Sequence, residues 1–389
     1  MVCFEDLPVE IIREIFEYLE QSSLLSTAIV SSSLLHPSQE VLYQTVKFEF
    51  SYAIPYPYTI LPRQRRFFRT VSASERCARY INLLVIQEIN HEGEERIVAF
   101  EDLERAMKLM VNLKKLSLGG IAYIQHAKLE AATFSLTHLS IDPACAPGIP
   151  NPNEMLVPIL KAHPNLTYLS IRGIWSLTEE DIAAVEEKRS DLGAHPSAVL
   201  FPRLECIYLA GPEFLQSLLV GRHIKHLVFS RMVEEAVEKL RSPLMLPSYR
   251  HLQTLVIFVY VRISSNALPM TVSRHLTSLT RLNIHVEPPG GRSAGLNSSD
   301  PIIVSISQIR TLESLTLSAI PRWCTDTSEE EGLVEFLYTC CVHLKEAFVQ
   351  SQYLDNKSHS HYGVGGKLIG VVGRDVVNKE DYKPHMLFR

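Results

Sequence analysis

The segment most similar to a ligand-binding motif lies near the carboxyl end, at HYGVGGKLIGVVG, residues 361–373. A glycine-rich loop ending in Gly-Lys binds nucleotide phosphates when Ser or Thr follows the lysine, because that hydroxyl ligates magnesium. Here Leu368 follows Lys367, so the segment lacks a residue that a nucleotide-binding loop needs. The nearby His359 and His361 form an isolated pair in a polar tail, which we interpret as a solvated loop rather than a metal site.

The sequence also lacks motifs for metal-binding cysteines and for a catalytic serine. The seven cysteines are scattered without any C-x-x-C pair, and Cys340 and Cys341 fall in an apolar helical stretch where buried, inert thiols are common. The chain also has no G-x-S-x-G and no H-E-x-x-H motif. We therefore predict a protein without catalytic residues, metal or cofactor. Such cysteine usage is typical of a reducing compartment, so we expect a cytoplasmic or nuclear location.

Composition and charge exclude further classes. The chain has 389 residues, 46% of them hydrophobic and 21% charged, which predicts a folded protein with several domains or a repeat array. Its net charge of -5 offers no uniform attraction to nucleic acid or to an anionic membrane, and neither partner is predicted. The longest apolar run, TLVIFVYV at 254–261, is too short to cross a membrane. Acidic Glu5 and Asp6 stand where a signal peptide would be basic, so a non-secreted protein is expected.

An amphipathic helix opens the chain at LPVEIIREIFEYL, residues 7–19. Its apolar residues recur at steps of one and three, which places them on one helical stripe. They are Ile11, Ile12, Ile15, Phe16 and Leu19. Pro8 suits the first helical position, because its fixed φ and missing N–H cost nothing there.

Two further short helices are predicted after the opening one. The block LLSTAIVSSSLL, residues 24–35, has helical spacing and is expected to stop near Pro37. A third piece follows in PSQEVLYQTV, and the segment LYQTVKF at 42–48 is expected to end as a strand. On pattern alone, these helices could equally form a small bundle that packs on the rest of the chain.

These residues resemble the F-box, most closely that of fungal F-box proteins. The resemblance covers about residues 4–48 and is carried by Leu7-Pro8-x-Glu10-Ile11, by Ile15-Phe16-x-x-Leu19 and by IVSSSLLHPSQEVLYQTVKF. It implies a module that docks a Skp-type adaptor and, through it, a cullin-RING ubiquitin ligase. Carried over by position, the adaptor-binding residues would be Leu7, Pro8, Ile11, Ile15, Phe16 and Leu19. Leu24, Val30 and Leu34 would be shared with the adaptor or lie in the module's own core.

The remainder of the chain is repetitive. The pattern Leu-x-x-Leu-x-Leu, with other apolar residues allowed, begins at residues 80, 113, 136, 166, 204, 224, 252, 279, 312 and 344. In several units a helical stretch precedes the next strand, at residues 99–112, 153–165 and 329–343. Neither a helix nor a strand of this kind buries its apolar face alone, so neighbouring units must stack.

This pattern resembles leucine-rich repeats. It predicts an α/β fold in which an N-terminal three-helix F-box is followed by an irregular leucine-rich-repeat solenoid with a curved parallel sheet; an irregular α/β domain is the alternative. We divide the chain into an F-box at 1–48, a Pro-rich linker or cap at 49–75, the solenoid at 76–350 and a C-terminal tail at 351–389. The segments 143–153, 186–198 and 287–300 are expected to be loops.

Strand alternation also predicts which side chains face a partner. The leucines of each repeat point inward, so the residues between them form the concave face. The expected target-binding residues are Lys115, His138, Tyr168, Arg172, Tyr208, His226, Phe258, Arg281 and His285. Their lysine and arginines would favour an acidic or phosphorylated protein segment. A mixed solvated face without a specific role is the alternative.

The sequence thus predicts a non-catalytic substrate receptor of a Skp, cullin and F-box (SCF) type ubiquitin ligase, with an unknown target protein. The alternative is a repeat scaffold outside ubiquitin transfer, in which the F-box-like bundle serves as a structural cap. Ser31, Ser32 and Ser33 follow Val30 where many F-boxes have basic residues, and this difference favours the alternative.

Overall fold

The computed structural model describes residues 7–48, 60–86, 100–119, 128–142, 159–171, 203–209, 222–232, 250–259, 276–286, 301–319, 327–350 and 358–373. Its contacts divide the chain into two compact units, Met1–Leu166 and Thr167–Leu387. The predicted loops at 143–153, 186–198 and 287–300 lie outside the described residues.

Three helices form the amino-terminal part of the first unit: α1 (Val9–Glu17), α2 (Gln21–Val30) and α3 (Ser32–Gln44). Helix α1 begins one residue later than predicted, because Pro8 is its N-cap and accepts the first hydrogen bonds. The backbone N–H groups of Ile11 and Ile12 donate to the Pro8 carbonyl at 3.0 and 3.1 Å. The helices surround one apolar core of Ile12, Phe16, Leu24 and Leu34, with Leu7, Val41 and Leu42 packed against it.

The boundary between the second and third helices differs from the prediction. The chain leaves helical geometry at Ser31, with φ -146° and ψ 139°, and the side-chain oxygen of Ser31 accepts a hydrogen bond from the Ser33 N–H at 3.3 Å. A serine in this conformation is a good N-cap. Pro37, where a break was predicted, lies inside α3 and is buried. The Ser31 cap therefore sets the break, and α3 tolerates the proline within its length.

Two further helices follow, α4 (Ile60–Ala73) and α5 (Glu75–Tyr80). Phe67 and Phe68 of α4 pack edge to face at 5.1 Å between ring centroids, and Phe67 contacts the rings of Tyr43 and Phe48 at 6.3 and 5.3 Å. Much of the segment predicted as a linker or cap is thus a helix joined by aromatic contacts to the end of α3 and the strand after it.

The described residues of the first unit include four strands: β1 (Thr45–Phe48), β2 (Leu83–Ile86), β3 (Lys115–Gly119) and β4 (His138–Asp142). They pair in parallel and in chain order, and α6 (Phe100–Leu109) lies between β2 and β3 in the chain. Leu84, Leu116 and Leu139 occupy one row of the register and are all fully buried. Leu116 and Leu139 are the first leucines of predicted L-x-L pairs, whereas the repeat predicted to begin at residue 80 is shifted by one residue, since Leu84 and not Leu83 lies in this row.

Where the structure describes the second unit, the same pattern continues with seven parallel strands. These are β5 (Tyr168–Ile171), β6 (Cys206–Leu209), β7 (His226–Met232), β8 (Thr254–Val259), β9 (Arg281–Val286), β10 (Ser314–Ala319) and β11 (Glu346–Val349). Helices α7 (Pro301–Ser307) and α8 (Thr327–Cys340) precede β10 and β11, as expected for helix-and-strand repeats. All ten predicted repeat segments contain a strand, and the predicted fold class is confirmed.

Residues 358–373 depart from the repeat. Strands β12 (Ser358–Tyr362) and β13 (Leu368–Gly373) pair antiparallel, and β12 pairs antiparallel with β11. The glycine-rich motif forms the turn between them, where Gly365 and Gly366 adopt φ of 75° and 74° that other residues rarely adopt. The Tyr362 hydroxyl donates to Glu330 of α8 at 2.5 Å, which fastens this hairpin to the last helix.

No helix within the described ranges is long and apolar enough to cross a bilayer. Within the same ranges, no three His, Cys, Asp or Glu side chains are grouped so that they could hold a metal ion. His359 and His361 do not lie in a solvated loop, as the sequence suggested, but in β12. His359 is fully buried and hydrogen-bonds the Ser318 hydroxyl at 2.6 Å, and His361 stacks on Phe348 at 4.5 Å between ring centroids.

Candidate docking surfaces

The predicted apolar stripe of α1 is divided between the core and the surface. Phe16 is 1% exposed and Ile12 is 5% exposed, so both lie in the core that α1 shares with α2 and α3. Ile11 and Ile15 are 41% and 37% exposed. The helix thus buries one half of a wide apolar face and leaves the other half in solvent.

The other predicted adaptor-binding residues follow the same division. Leu7 is half-buried against the core, whereas Pro8 and Leu19 are exposed. Pro8, Ile11, Ile15 and Leu19 are therefore available to a partner. The ring of Phe16 packs in the core between α1 and its neighbouring helices, and its part in adaptor binding stays a prediction.

Helix α2 adds exposed apolar residues that periodicity did not single out. Ile29 and Val30 are 85% and 81% exposed, and Leu25 is also exposed. On α1, Val9 and Tyr18 are exposed as well. Large apolar side chains kept in solvent on two short helices are typical of a protein-binding surface. The sequence signal for this surface is the Ile29-Val30 pair immediately before the Ser31 cap, at the end of a helix without charged residues.

The charged side chains around the exposed apolar residues of α1 are mostly acidic. Glu10, Glu14 and Glu17 are exposed on α1, while Arg13 is engaged in an ion pair with Glu40 of α3. A partner that covers the exposed apolar side chains of α1 must therefore accommodate carboxylates at the rim of the contact, and a basic or neutral rim would fit best.

In the first unit, two of the predicted target-binding residues are neighbours. Lys115 of β3 and His138 of β4 are register partners, and both are half-buried. Burial, and secondarily the Lys115 charge, lowers the pKa of His138 to about 4. His138 is therefore neutral near pH 7, and Lys115 supplies the positive charge of this pair.

In the second unit, the predicted residues fall into rows across neighbouring strands. Tyr168, His226 and Arg281 lie in one register row, at the start of their strands. Tyr208 lies in the row two residues further along the strands. Phe258 and His285 are register partners whose rings stack at 4.4 Å between centroids. Arg172 lies outside the described residues.

Exposure along these rows is lower than strand alternation suggests. Tyr168 and His285 are 1% and 5% exposed, whereas Tyr208, His226, Phe258 and Arg281 are half-buried. Burial, with Lys225 among the nearby charges, lowers the pKa of His226. Among the described residues of the second unit that were predicted to bind the target, Arg281 therefore supplies the permanent positive charge. The role of the whole set stays a prediction.

Comparisons with known proteins agree with the architecture of the amino-terminal part. Residues 4–49 match the F-box-like family model. A comparison with curated proteins finds no match.

Two solved structures with weak similarity are a chain of the Toll–Spatzle complex of Drosophila and a chain of the TLR13–ssRNA13 complex. The first is 12% identical with a TM-score of 0.35 and the second 14% identical with a TM-score of 0.33. The matches cover 73% and 62% of this chain, but only 32% and 33% of the solved chains, so this chain spans about a third of their length. At these values neither structure bears on function.

The family match and the strand pattern lead to one description of the protein. Residues 4–49, whose three helices share a single core, form an F-box-like domain. The chain carries an F-box-like domain at residues 4–49, and the helices and parallel strands that follow it resemble leucine-rich repeats.

Proposed function

We propose that this protein is the substrate-recognition subunit of an SCF-type ubiquitin ligase. In this proposal the F-box-like domain docks a Skp-type adaptor, which links the chain to a cullin-RING ligase, and the repeats hold a target protein. The observation that carries it is the coincidence of the F-box-like match at residues 4–49 with exposed apolar side chains on α1 and α2.

The energetics of such docking depend on how much apolar surface remains to be buried. Full burial of an exposed Ile, Leu or Val contributes roughly 1.5–3 kcal/mol. Ile11 and Ile15 are already more than half covered, so they contribute less than this, whereas Ile29 and Val30 retain most of their surface for a partner. Together these residues can offset an association cost of about 4–15 kcal/mol only if several are buried at once.

The protein needs no catalytic residue for this role. A receptor accelerates ubiquitin transfer by raising the effective concentration of target lysines beside the loaded conjugating enzyme. The repeats suit this task because neighbouring parallel strands hold rows of side chains in register within each unit. Work in a ubiquitin ligase would place the protein in the cytoplasm or the nucleus.

The decisive experiment is co-purification of the full chain with a Skp-type adaptor. We compare the native chain with Ile11→Asp plus Ile15→Asp, since both side chains lie outside the core and their substitution should leave the domain folded. A matched control is Val342→Asp, which changes another exposed apolar residue, in the second unit. Circular dichroism confirms that each variant is folded.

Capture by the native chain and the control, but not by the α1 variant, is the expected result. No capture by the folded native chain would refute the ligase proposal and favour the repeat scaffold, with the F-box-like domain as a structural cap.

A further inference from the structure

Helix α4 carries charge on one face and aromatic core on the other. Gln64, Phe68 and Val71 are buried, and they recur at the spacing of one helical face. Arg63, Arg66 and Arg69 lie at intervals of three residues and are all exposed. We refer to these three arginines as the arginine row.

The arginine row is not neutralised by the described part of the chain. Helix α4, ILPRQRRFFRTVSA, contains four arginines and no acidic residue. No carboxylate of the described residues lies within ion-pair distance of any member of the row. Several other cations of the described residues do form ion pairs, as Lys108 does with Glu104 and Lys345 with Glu313.

This arrangement costs stability within the helix. Like charges three residues apart face each other on a helix and repel by a few tenths of a kcal/mol per pair. The protein as a whole is acidic, with a net charge of -5, so a local concentration of arginine stands out from the composition. An anionic partner would relieve the repulsion and gain charge-assisted hydrogen bonds.

The row is also held in place. The rings of Phe67 and Phe68 pack on Phe48, and Tyr43 stacks on Phe67. Because α4 is fixed through its opposite face, the three guanidinium groups project from a rigid support. From Arg63 to Arg69 the helix rises about 9 Å.

The surroundings of the row distinguish between classes of anion. Insertion into a membrane needs an exposed apolar face, whereas Phe68 and Val71 are fully buried. Single-stranded nucleic acid needs exposed aromatic rings on which bases stack, but Phe67 is half-buried in the aromatic cluster. A peptide with closely spaced anionic side chains needs neither, and about 9 Å of helix matches two to three of its residues in extended form.

We propose that the arginine row binds an acidic segment of a partner protein, with carboxylate or phosphate groups as the recognised chemistry. The arginines donate forked hydrogen bonds to these anions, a geometry that lysine does not reproduce. This site is separate from the adaptor surface of α1 and α2, and it does not depend on whether the adaptor binds.

The test measures binding of fluorescent eight-residue peptides to the full chain by anisotropy. The probes are an alternating Glu-Ser peptide, the same peptide with phosphoserine in place of glutamate, and a Gln-Ser peptide without charge. The row variant carries R63Q, R66Q and R69Q. The matched control carries R203Q, R250Q and R310Q, which removes three exposed arginines elsewhere and changes the net charge equally.

We expect the native chain and the control to bind both anionic peptides and to ignore the neutral one. The row variant should bind the anionic peptides about tenfold more weakly, because three exposed ion pairs are lost. A second variant, R63K, R66K and R69K, keeps the charge and should bind better than the glutamine variant but worse than the native chain. The ratio of the two anionic peptides shows whether phosphate or carboxylate is preferred.

Three results would overturn the proposal. These are no binding of either anionic peptide by the native chain, an equal loss in the row variant and the control, or tighter binding of an eight-nucleotide single-stranded DNA than of both peptides. Adaptor capture, measured on the same variants, should not change. A failure of the ligase proposal and a failure of this one are therefore seen separately.

Discussion

Ile29 and Val30 are 85% and 81% exposed, about twice the exposed fraction of Ile11 and Ile15, which are 41% and 37% exposed. They end α2 immediately before the Ser31 cap, so their substitution does not interrupt the hydrogen bonds of a helix interior. Because burial free energy scales with the area removed from water, these two side chains should dominate adaptor docking.

We therefore predict that Ile29→Asp plus Val30→Asp weakens adaptor capture more than Ile11→Asp plus Ile15→Asp does. Titration of each variant with purified adaptor measures the difference, which should reach about tenfold or more. Ser22→Asp plus Ser23→Asp, on the exposed first turn of the same helix, is the charge-matched control. A stronger effect of the α1 pair would show that α1 carries most of the contact.

At the same scale, His163 gives the first unit a dependence on pH. It is fully buried and stacks on Phe134 with ring centroids 5.6 Å apart. Burial lowers its pKa to about 4 from the usual 6.5. Between these two values the unfolded chain binds a proton that the folded chain excludes, so stability falls as pH decreases from about 6.5 to about 4. The lowered pKa of His138 acts in the same direction.

His163→Phe keeps the stacked ring and removes the titration. We predict that the free energy of unfolding of this variant, measured in urea between pH 7 and pH 4.5, decreases less than that of the native chain. His343→Phe, at an exposed position, serves as the control and should follow the native curve. An equal decrease in the free energy of unfolding for all three proteins would contradict the role of His163 in this pH dependence.

At the scale of elements, the strands were predictable and some helix boundaries were not. Each L-x-L pair became two buried residues of a strand, as Leu116 and Leu118 show, because the two-residue period of a strand is independent of its neighbours. The sequence predicts the break between α2 and α3 at Pro37, but in the structure it lies at Ser31. A proline marks a steric cost, but whether a helix ends there depends on competing caps and on packing.

Candidate sites were predictable only in part, for a related reason. The apolar face of α1 is wide enough that either half could point to the core, and only the positions of α2 and α3 decide that Phe16 is buried and Ile15 exposed. On the strands, alternation gives the side of the sheet but not the coverage by neighbours, as the buried Tyr168 and His285 illustrate. The arginine row could not be predicted, because the prolines before and within the first turn of α4 favour a linker over a helix.

Across the protein, the apolar side chains of α1 to α3 form a core of their own. The core residues of α1, α2 and α3, from Ile12 to Leu34, pack among themselves and against Leu7, Val41 and Leu42. In the second unit, Leu282 lies between Leu255 and Leu315 in the register, and all three are buried. Damage to the repeat core should therefore leave the docking residues of α1 and α2 in place.

Leu282→Ala tests this separation. Removing a buried leucine side chain leaves a cavity and should lower the stability of the repeats by about 2–5 kcal/mol. Leu368→Ala removes the same atoms from an exposed position and should cost much less. Thermal unfolding measures both effects, and adaptor titration of the folded variants should give the native affinity in each case. Loss of adaptor binding in folded Leu282→Ala would show that docking requires an intact repeat core.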